Sequence, residues 1–214
     1  MVPLSFAQRR LWFLDRLEGP SATYNIPVVT RIRDAVDVAA LDAAVGDVVS
    51  RHEVLRTVYV EVDGEPSQRV LPADRVRVDF AHRAVTADEA DEALVEVCAQ
   101  PFDLTRELPV RVRLFSLDAR EHLLAISLHH IAADGTSMGP LSRDLATAYA
   151  ARLAGTAPAW EPLPIQYADY ALWQRDLLGA DDDPDSRANR QLTYWRSVLA
   201  GLPDELPLPT DHPR

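Results

Sequence analysis

The fold class this sequence predicts is α/β (an α+β sandwich), with a mixed sheet packed by helices. Stretches with apolar residues at every second position alternate along the chain with stretches at helical spacing. One neighbouring strand pair, VRVRLFSL and HLLAISLHH, is joined by a short polar turn around Asp118 to Glu121 and reads as antiparallel. No GxGxxG run follows any strand, which speaks against a doubly wound nucleotide fold.

The elements follow in order. Ser5 and Gln8 form a capping-box pattern, with Ala7, Leu11 and Leu14 at helical spacing, so a helix is expected from Ser5 to Leu17, stopped by Gly19-Pro20. Residues 24–33 alternate, with Ile26, Val28 and Ile32 on one face and Arg31 and Arg33 on the other: a strand. Asp37 caps a helix that turns Leu41, Val45, Val48 and Val49 inward. A hairpin turns at Asp63-Gly64, and Val76, Val78 and Phe80 read as a short strand. Thr86 with Glu89 opens a helix that Pro101 ends. After the antiparallel pair comes a long helix with Leu141, Leu145, Ala148 and Tyr149 on one stripe, capped by Ser137 and ended by Gly155. A strap, GTAPAWEPLP, leads to two helices, Ile165 to Leu178 and Arg190 to Leu199, around an acidic loop from Ala180 to Asp185. The last twelve residues carry Pro203, Pro207, Pro209 and Pro213 and read as extended.

Composition excludes several functions. All 22 basic residues are arginine, so there is no lysine for a Schiff base or a Walker A loop. A net charge of −11 disfavours nucleic acid, because the densest arginine cluster, Arg75, Arg77 and Arg83, sits among acids. No apolar run approaches the roughly 18 residues of a membrane span, and residues 1–13 lack the layout of a signal peptide. Cys98 is alone, which rules out an internal disulfide and points to a reducing cytoplasm.

The densest polar constellation is HHIAADG, residues 129–135, directly after an apolar strand. Alternation puts His130 on the face of Leu124, Ile126 and Leu128, and His129 on the face of Ala125 and Ser127. At a core edge, partial desolvation would keep the His130 imidazole neutral, as a general base requires. A satisfied core histidine explains the same pattern, and both readings stay open on the residues alone. Adjacent strand histidines point apart, so a zinc site from His129, His130 and Asp134 is disfavoured. GTSMG, residues 135–139, matches GxSxG, but four residues separate it from His130. The only histidine after Ser137 is His212, in the proline-rich tail, a poor place for a triad base.

Four motifs in series resemble the condensation domains of nonribosomal peptide synthetases: SFAQRRLWFL at 5–14, RHEVLRTVY at 51–59, HHIAADG at 129–135 and YADYALW at 167–173. Tyr59 stands where the family more often has Phe. The resemblance covers the whole chain, although family members are about twice as long and their last three motifs are absent. It implies a chloramphenicol acetyltransferase-like lobe, with residues 1–202 as the N-terminal, donor-side lobe and 203–214 as the proline-rich start of a crossover to a C-terminal lobe.

The implied reaction is attack of an acceptor aminoacyl amine on a donor thioester, both carried on phosphopantetheine arms. The resemblance makes His130 the base or orienting group and the Gly135 N–H an oxyanion donor, with His129, Asp134 and Arg56 as structural support, Arg56 pairing with Asp134. It implies no directly bound cofactor or metal. The implied partners are donor and acceptor peptidyl carrier proteins, the C-terminal lobe and a neighbouring adenylation domain. A monomer is expected, with no nucleic acid or membrane partner. YNIP at 24–27, DDDPDS and GLP at 201–203 resemble domains joining an L-donor to an L-acceptor. An epimerisation lobe and a non-catalytic docking module are the alternatives; a cyclisation domain is excluded, since it replaces the paired histidines with aspartates. The isolated lobe is expected to be inactive.

Overall fold

In a computed structural model, residues 1–19, 21–180, 182–203 and 209 are described. Two compact units, Met1–Leu172 and Trp173–Arg214, divide the chain.

In the first unit, a four-stranded mixed sheet has the order β2 (Asn25–Ile32), β7 (His122–His129), β6 (Val110–Ser116), β5 (Asp79–Ala84). β7 runs antiparallel to both neighbours, and β5 pairs parallel with β6. The parallel pair needs a crossover, supplied by α3 (Ala87–Ala99). A smaller antiparallel sheet has the order β1 (Val2–Pro3), β4 (Glu65–Val70), β3 (Thr57–Val62).

Every residue of β7 is buried, because its two faces serve two cores. Leu124, Ile126 and Leu128 pack with α2 (Val38–Arg51) and α4 (Met138–Leu153), where Leu41, Val45, Val48 and Ala148 close the layer. Leu123 and Ala125 face α3, whose Ala90, Ala93 and Val97 cover them with Phe115. The inward faces read for β2 and α2 are those observed. A third cluster joins α1 (Phe6–Glu18) to the loop after β7 through Leu11, Tyr59, Phe102 and Ile131.

Local signals set most boundaries. The Ser5–Gln8 and Thr86–Glu89 capping boxes both form. Asp63 and Gly64 have φ of 53° and 83°, the paired positive values of a two-residue type I′ hairpin. Three expectations need correction. The strand expected over Val76 to Phe80 is displaced, since β5 begins only at Asp79, opposite Arg111. The Phe80 N–H turns back to the Val78 carbonyl at 2.9 Å, and residues 73–75, just before the expected strand, form a 3₁₀ turn. Secondly, Ser137 stands at the N-cap position of the long helix, but its side chain makes no capping bond to it. Asp134 caps a short 3₁₀ turn, Gly135–Ser137, that leads into α4, and Ser137 reciprocates. Lastly, α5 is Tyr167–Leu178, starting after the expected Ile165, because Asp169 folds back to accept the Gln166 N–H at 2.8 Å.

Within the second unit, α6 spans Arg187–Val198, earlier than expected because the Ser186 hydroxyl accepts the Asn189 N–H and caps it. The tail assigned to 203–214, apart from Pro203 and Pro209, lies outside the described residues, as do Asp181 in the acidic loop and Pro20.

Candidate active site

The end of β7 opens onto a cavity of about 670 Å³ in the first unit. Alternation sends the two histidines apart. The His129 N–H donates to Pro109 at 3.0 Å, and the His130 N–H donates across to Tyr24 at 2.8 Å, so the backbone is pinned on both sides. His129 is 2% exposed, between Tyr24 and the edge of Phe102. Its Nδ1 accepts the Ile131 N–H at 3.1 Å, which fixes the turn. Burial, with a smaller contribution from the neighbouring His130, pushes the His129 imidazole down to about 4. It is therefore neutral near pH 7.

His130 lines the cavity and is exposed, and no side chain of a described residue hydrogen-bonds its ring. The desolvation expected at His130 thus falls on His129 instead. β7 is an interior strand, so its last in-ladder residue is sealed, whereas the next residue has already left the sheet.

The turn that follows is self-contained. Asp134 Oδ1 accepts from the Ser137 N–H at 3.0 Å, the Ser137 hydroxyl at 2.7 Å and the Thr136 hydroxyl at 2.8 Å. These bonds, the Ser137 hydroxyl foremost, hold the Asp134 carboxyl below the ordinary carboxylate range. They also occupy Ser137 Oγ, which accepts the Asp134 N–H at 3.1 Å, so it is not poised as a nucleophile. Gly135 is exposed beside the cavity-lining Asp134, and a Cβ there would meet nothing within 4 Å.

The expected Arg56–Asp134 pair is corrected. Arg56 turns the other way, donating to the Leu71 carbonyl and, at 3.1 Å, to Glu53. Asp134 is satisfied within three residues of itself, and Arg56 closes a 3₁₀ turn, Glu53–Arg56, beside the end of β4. Arg56 supports the second motif, not the histidine turn.

Of the five residues that sequence reasoning singled out, His130 and Asp134 line the cavity; the structure adds others to its wall, among them Arg10, Tyr24, His52, Gln166 and Tyr167. His52, Gln166 and Tyr167 lie in or next to motifs read above, but their convergence depends on contacts across more than 100 residues, such as Gln166 with Arg51. A layer beneath the turn ties three motifs together. The Tyr59 hydroxyl, fully buried and pushed up by burial, lies 3.5 Å from the Ile131 carbonyl and 3.4 Å from Gln8 Nε2. The Ser5 and Tyr167 hydroxyls meet at 2.9 Å.

A histidine at the end of an interior strand thus lines a cavity between α1, α4 and the start of α5 on a mixed α/β scaffold. The sequence profile of the Condensation domain family matches residues 1–214, and the chain belongs to that family. It is 59% identical over 214 residues to a probable non-canonical nonribosomal peptide synthetase, CymA, of Salinispora arenicola (strain CNS-205), covering 100% of this chain and 3% of that protein. It is 50% identical over 213 residues to a dimodular nonribosomal peptide synthase of Bacillus subtilis (strain 168), covering 100% of this chain and 9% of that one. Among solved structures, the X-domain from teicoplanin biosynthesis in complex with OxyB superposes with a TM-score of 0.89 at 42% identity, covering 100% of this chain and 46% of that chain. The first condensation domain of the CDA synthetase shares the fold, with a TM-score of 0.78 at 23% identity over 95% of this chain and 51% of that one. The architecture is thus the chloramphenicol acetyltransferase-like one of condensation domains, and the chain spans about half the length of those solved domains. No described helix is long and apolar enough to cross a membrane.

Proposed function

We propose that this chain is the N-terminal, donor-side lobe of a peptide-bond-forming condensation domain, with residues 203–214 starting the crossover to a C-terminal lobe. The acceptor amine attacks the donor thioester carbonyl, the C–N bond forms and the C–S bond breaks. The amine's proton leaves by way of His130, and the donor chain moves from one carrier-protein phosphopantetheine arm to the acceptor. Gly135 offers its N–H to the developing oxyanion. The domain is of the L-donor, L-acceptor type, works between carrier proteins beside an adenylation domain, and is inactive as this lobe alone.

One observation carries the reading: His130 is the exposed imidazole of the cavity, while its neighbour is sealed and neutral. In the full-length synthetase, His130→Ala lowers amide formation by roughly 10²-fold or more, with melting temperature unchanged. His129→Ala instead lowers the melting temperature. Product formation followed by mass spectrometry decides, and full turnover by His130→Ala would sink the assignment.

A second reading has specific support, since two X-domain structures match with TM-scores of 0.87 and 0.89 at 42% identity, one of them bound to OxyB. On that reading the lobe is a docking scaffold for a partner enzyme. A wild-type synthetase that retains a partner enzyme but shows no turnover at this domain selects it.

A further inference from the structure

The cavity holds a second imidazole. His52 closes α2 and lines the same wall as His130. Its backbone segment is held by two elements and its ring by one carboxylate. The His52 N–H donates to Val48 at 3.0 Å. The Gln166 amide grips both flanking residues, donating to the Arg51 carbonyl at 3.0 Å and accepting the Glu53 N–H at 3.1 Å. The ring's Nε2 lies 2.7 Å from Asp144 Oδ2, the oxygen that also accepts Arg51 Nε at 2.9 Å. Arg51 is fixed in turn by the Glu161 carbonyl at 2.7 Å and by the Trp160 ring, 4.7 Å from its guanidinium.

In the neutral ring, donation from Nε2 to the Asp144 carboxylate leaves the lone pair on Nδ1. No described residue bonds Nδ1, and it is not among the buried atoms left unpaired, so it remains accessible. Val54, Leu141 and Ile165 line the same cavity, an apolar setting in which a hydrogen bond gains strength. A latch between α2 and α4 needs only the Asp144 side of the ring. An open second nitrogen on a ring anchored through the other, within a backbone segment held by Val48 and Gln166, is the arrangement of a preorganised binding group.

We propose that His52, with Asp144 behind it, is a substrate-binding residue whose Nδ1 accepts a hydrogen bond from an N–H of the thioester-linked aminoacyl or peptidyl substrate. This rests on the condensation reading and assigns His52 to holding the acyl chain while His130 handles the reacting amine.

The test follows both imidazoles at once. Nitrogen-15 spectra of the chain's histidine side chains are recorded with and without alanyl-pantetheine amide, a stable mimic of the aminoacyl thioester arm. Expected are an Nε2–H tautomer at His52 and movement of both His52 Nδ1 and the His130 ring on addition. Movement of His130 alone overturns the inference and leaves the condensation reading standing. Movement of His52 alone keeps a binding role and removes the condensation reading, and stillness of both overturns the pair. In the full-length synthetase, His52→Phe raises KM roughly tenfold, the scale of one lost hydrogen bond, with the loss falling on KM and not kcat. His52→Gln, which retains an acceptor oxygen, restores most of it. Equal loss of melting temperature in His52→Phe and His52→Gln, with KM unmoved, would make His52 a structural latch and end the proposal.

Discussion

Two turns border the cavity and are built on opposite principles. The turn after β7, residues 129–137, is closed by its own neighbours: His129 holds Ile131, and Asp134 holds Thr136 and Ser137. The turn after α2, residues 51–56, is held largely from afar, by Asp144, Glu161, Gln166 and Leu71. The first turn's links to distant chain are the backbone bonds of His129 to Pro109 and of His130 to Tyr24, with the Tyr59 hydroxyl beneath. The second exists only when α4 and the strap after it are in place, so its histidine reports on tertiary assembly.

The comparison breaks most visibly under acid. His129 titrates at about 4 folded and near 6.5 unfolded, so the unfolded chain binds more protons between those values. Stability is fully present above about pH 6.5 and declines as pH falls towards 4, by up to about 3 kcal/mol. Urea denaturation from pH 7 to pH 4 should show this loss reduced in His129→Gln. Parallel losses in the two proteins would mean the buried ring is not its source.

Removing the distant anchor comes next. Asp144→Ala strands Arg51 and His52, whose side chains are only 13% and 20% exposed, and should cost roughly 2 kcal/mol. Fluorescence of Trp160, which stacks on Arg51, should change with it. A variant as stable as wild type, with Trp160 unchanged, would show that the second turn holds without α4.

The local turn should be cheaper to damage. Asp134→Ala removes a cap and costs about 1 kcal/mol, while Asp134→Asn keeps an acceptor and costs a few tenths. A double-mutant cycle of Asp134→Ala with Arg56→Ala should be additive within about 0.5 kcal/mol, because the two residues bond different partners. Larger coupling would restore the ion pair that the structure rejects. The smallest effect is expected for Tyr59→Phe: the hydroxyl's contacts at 3.4 and 3.5 Å are long, so about 0.5 kcal/mol is the expected loss in thermal denaturation. A loss several times larger would make Tyr59 a principal support of the Ile131 turn.

Whatever depends on neighbours in the chain was legible in the residues: both N-terminal capping boxes, the Asp63-Gly64 hairpin, the antiparallel pair, and the opposite faces of His129 and His130. Alternation follows from the strand backbone itself, so it needed no knowledge of the fold. Asp134's true partners, Thr136 and Ser137, were equally local, but pairing charge with charge drew attention to Arg56 over the nearer hydroxyls.

Tertiary structure decided what sequence spacing does not encode. The partner of β5 is β6, paired in a register 32 residues further along the chain. Which of two adjacent histidines is desolvated depends on β7 being interior to the sheet, with Phe102 and Tyr24 closing over one ring only. The meeting of His52, Asp144 and Gln166 requires α2, α4 and the strap to converge after their separate hydrophobic faces are buried. Apolar periodicity says which face of an element turns inward. It does not say which other element will lie there, and at this cavity that choice places the second imidazole.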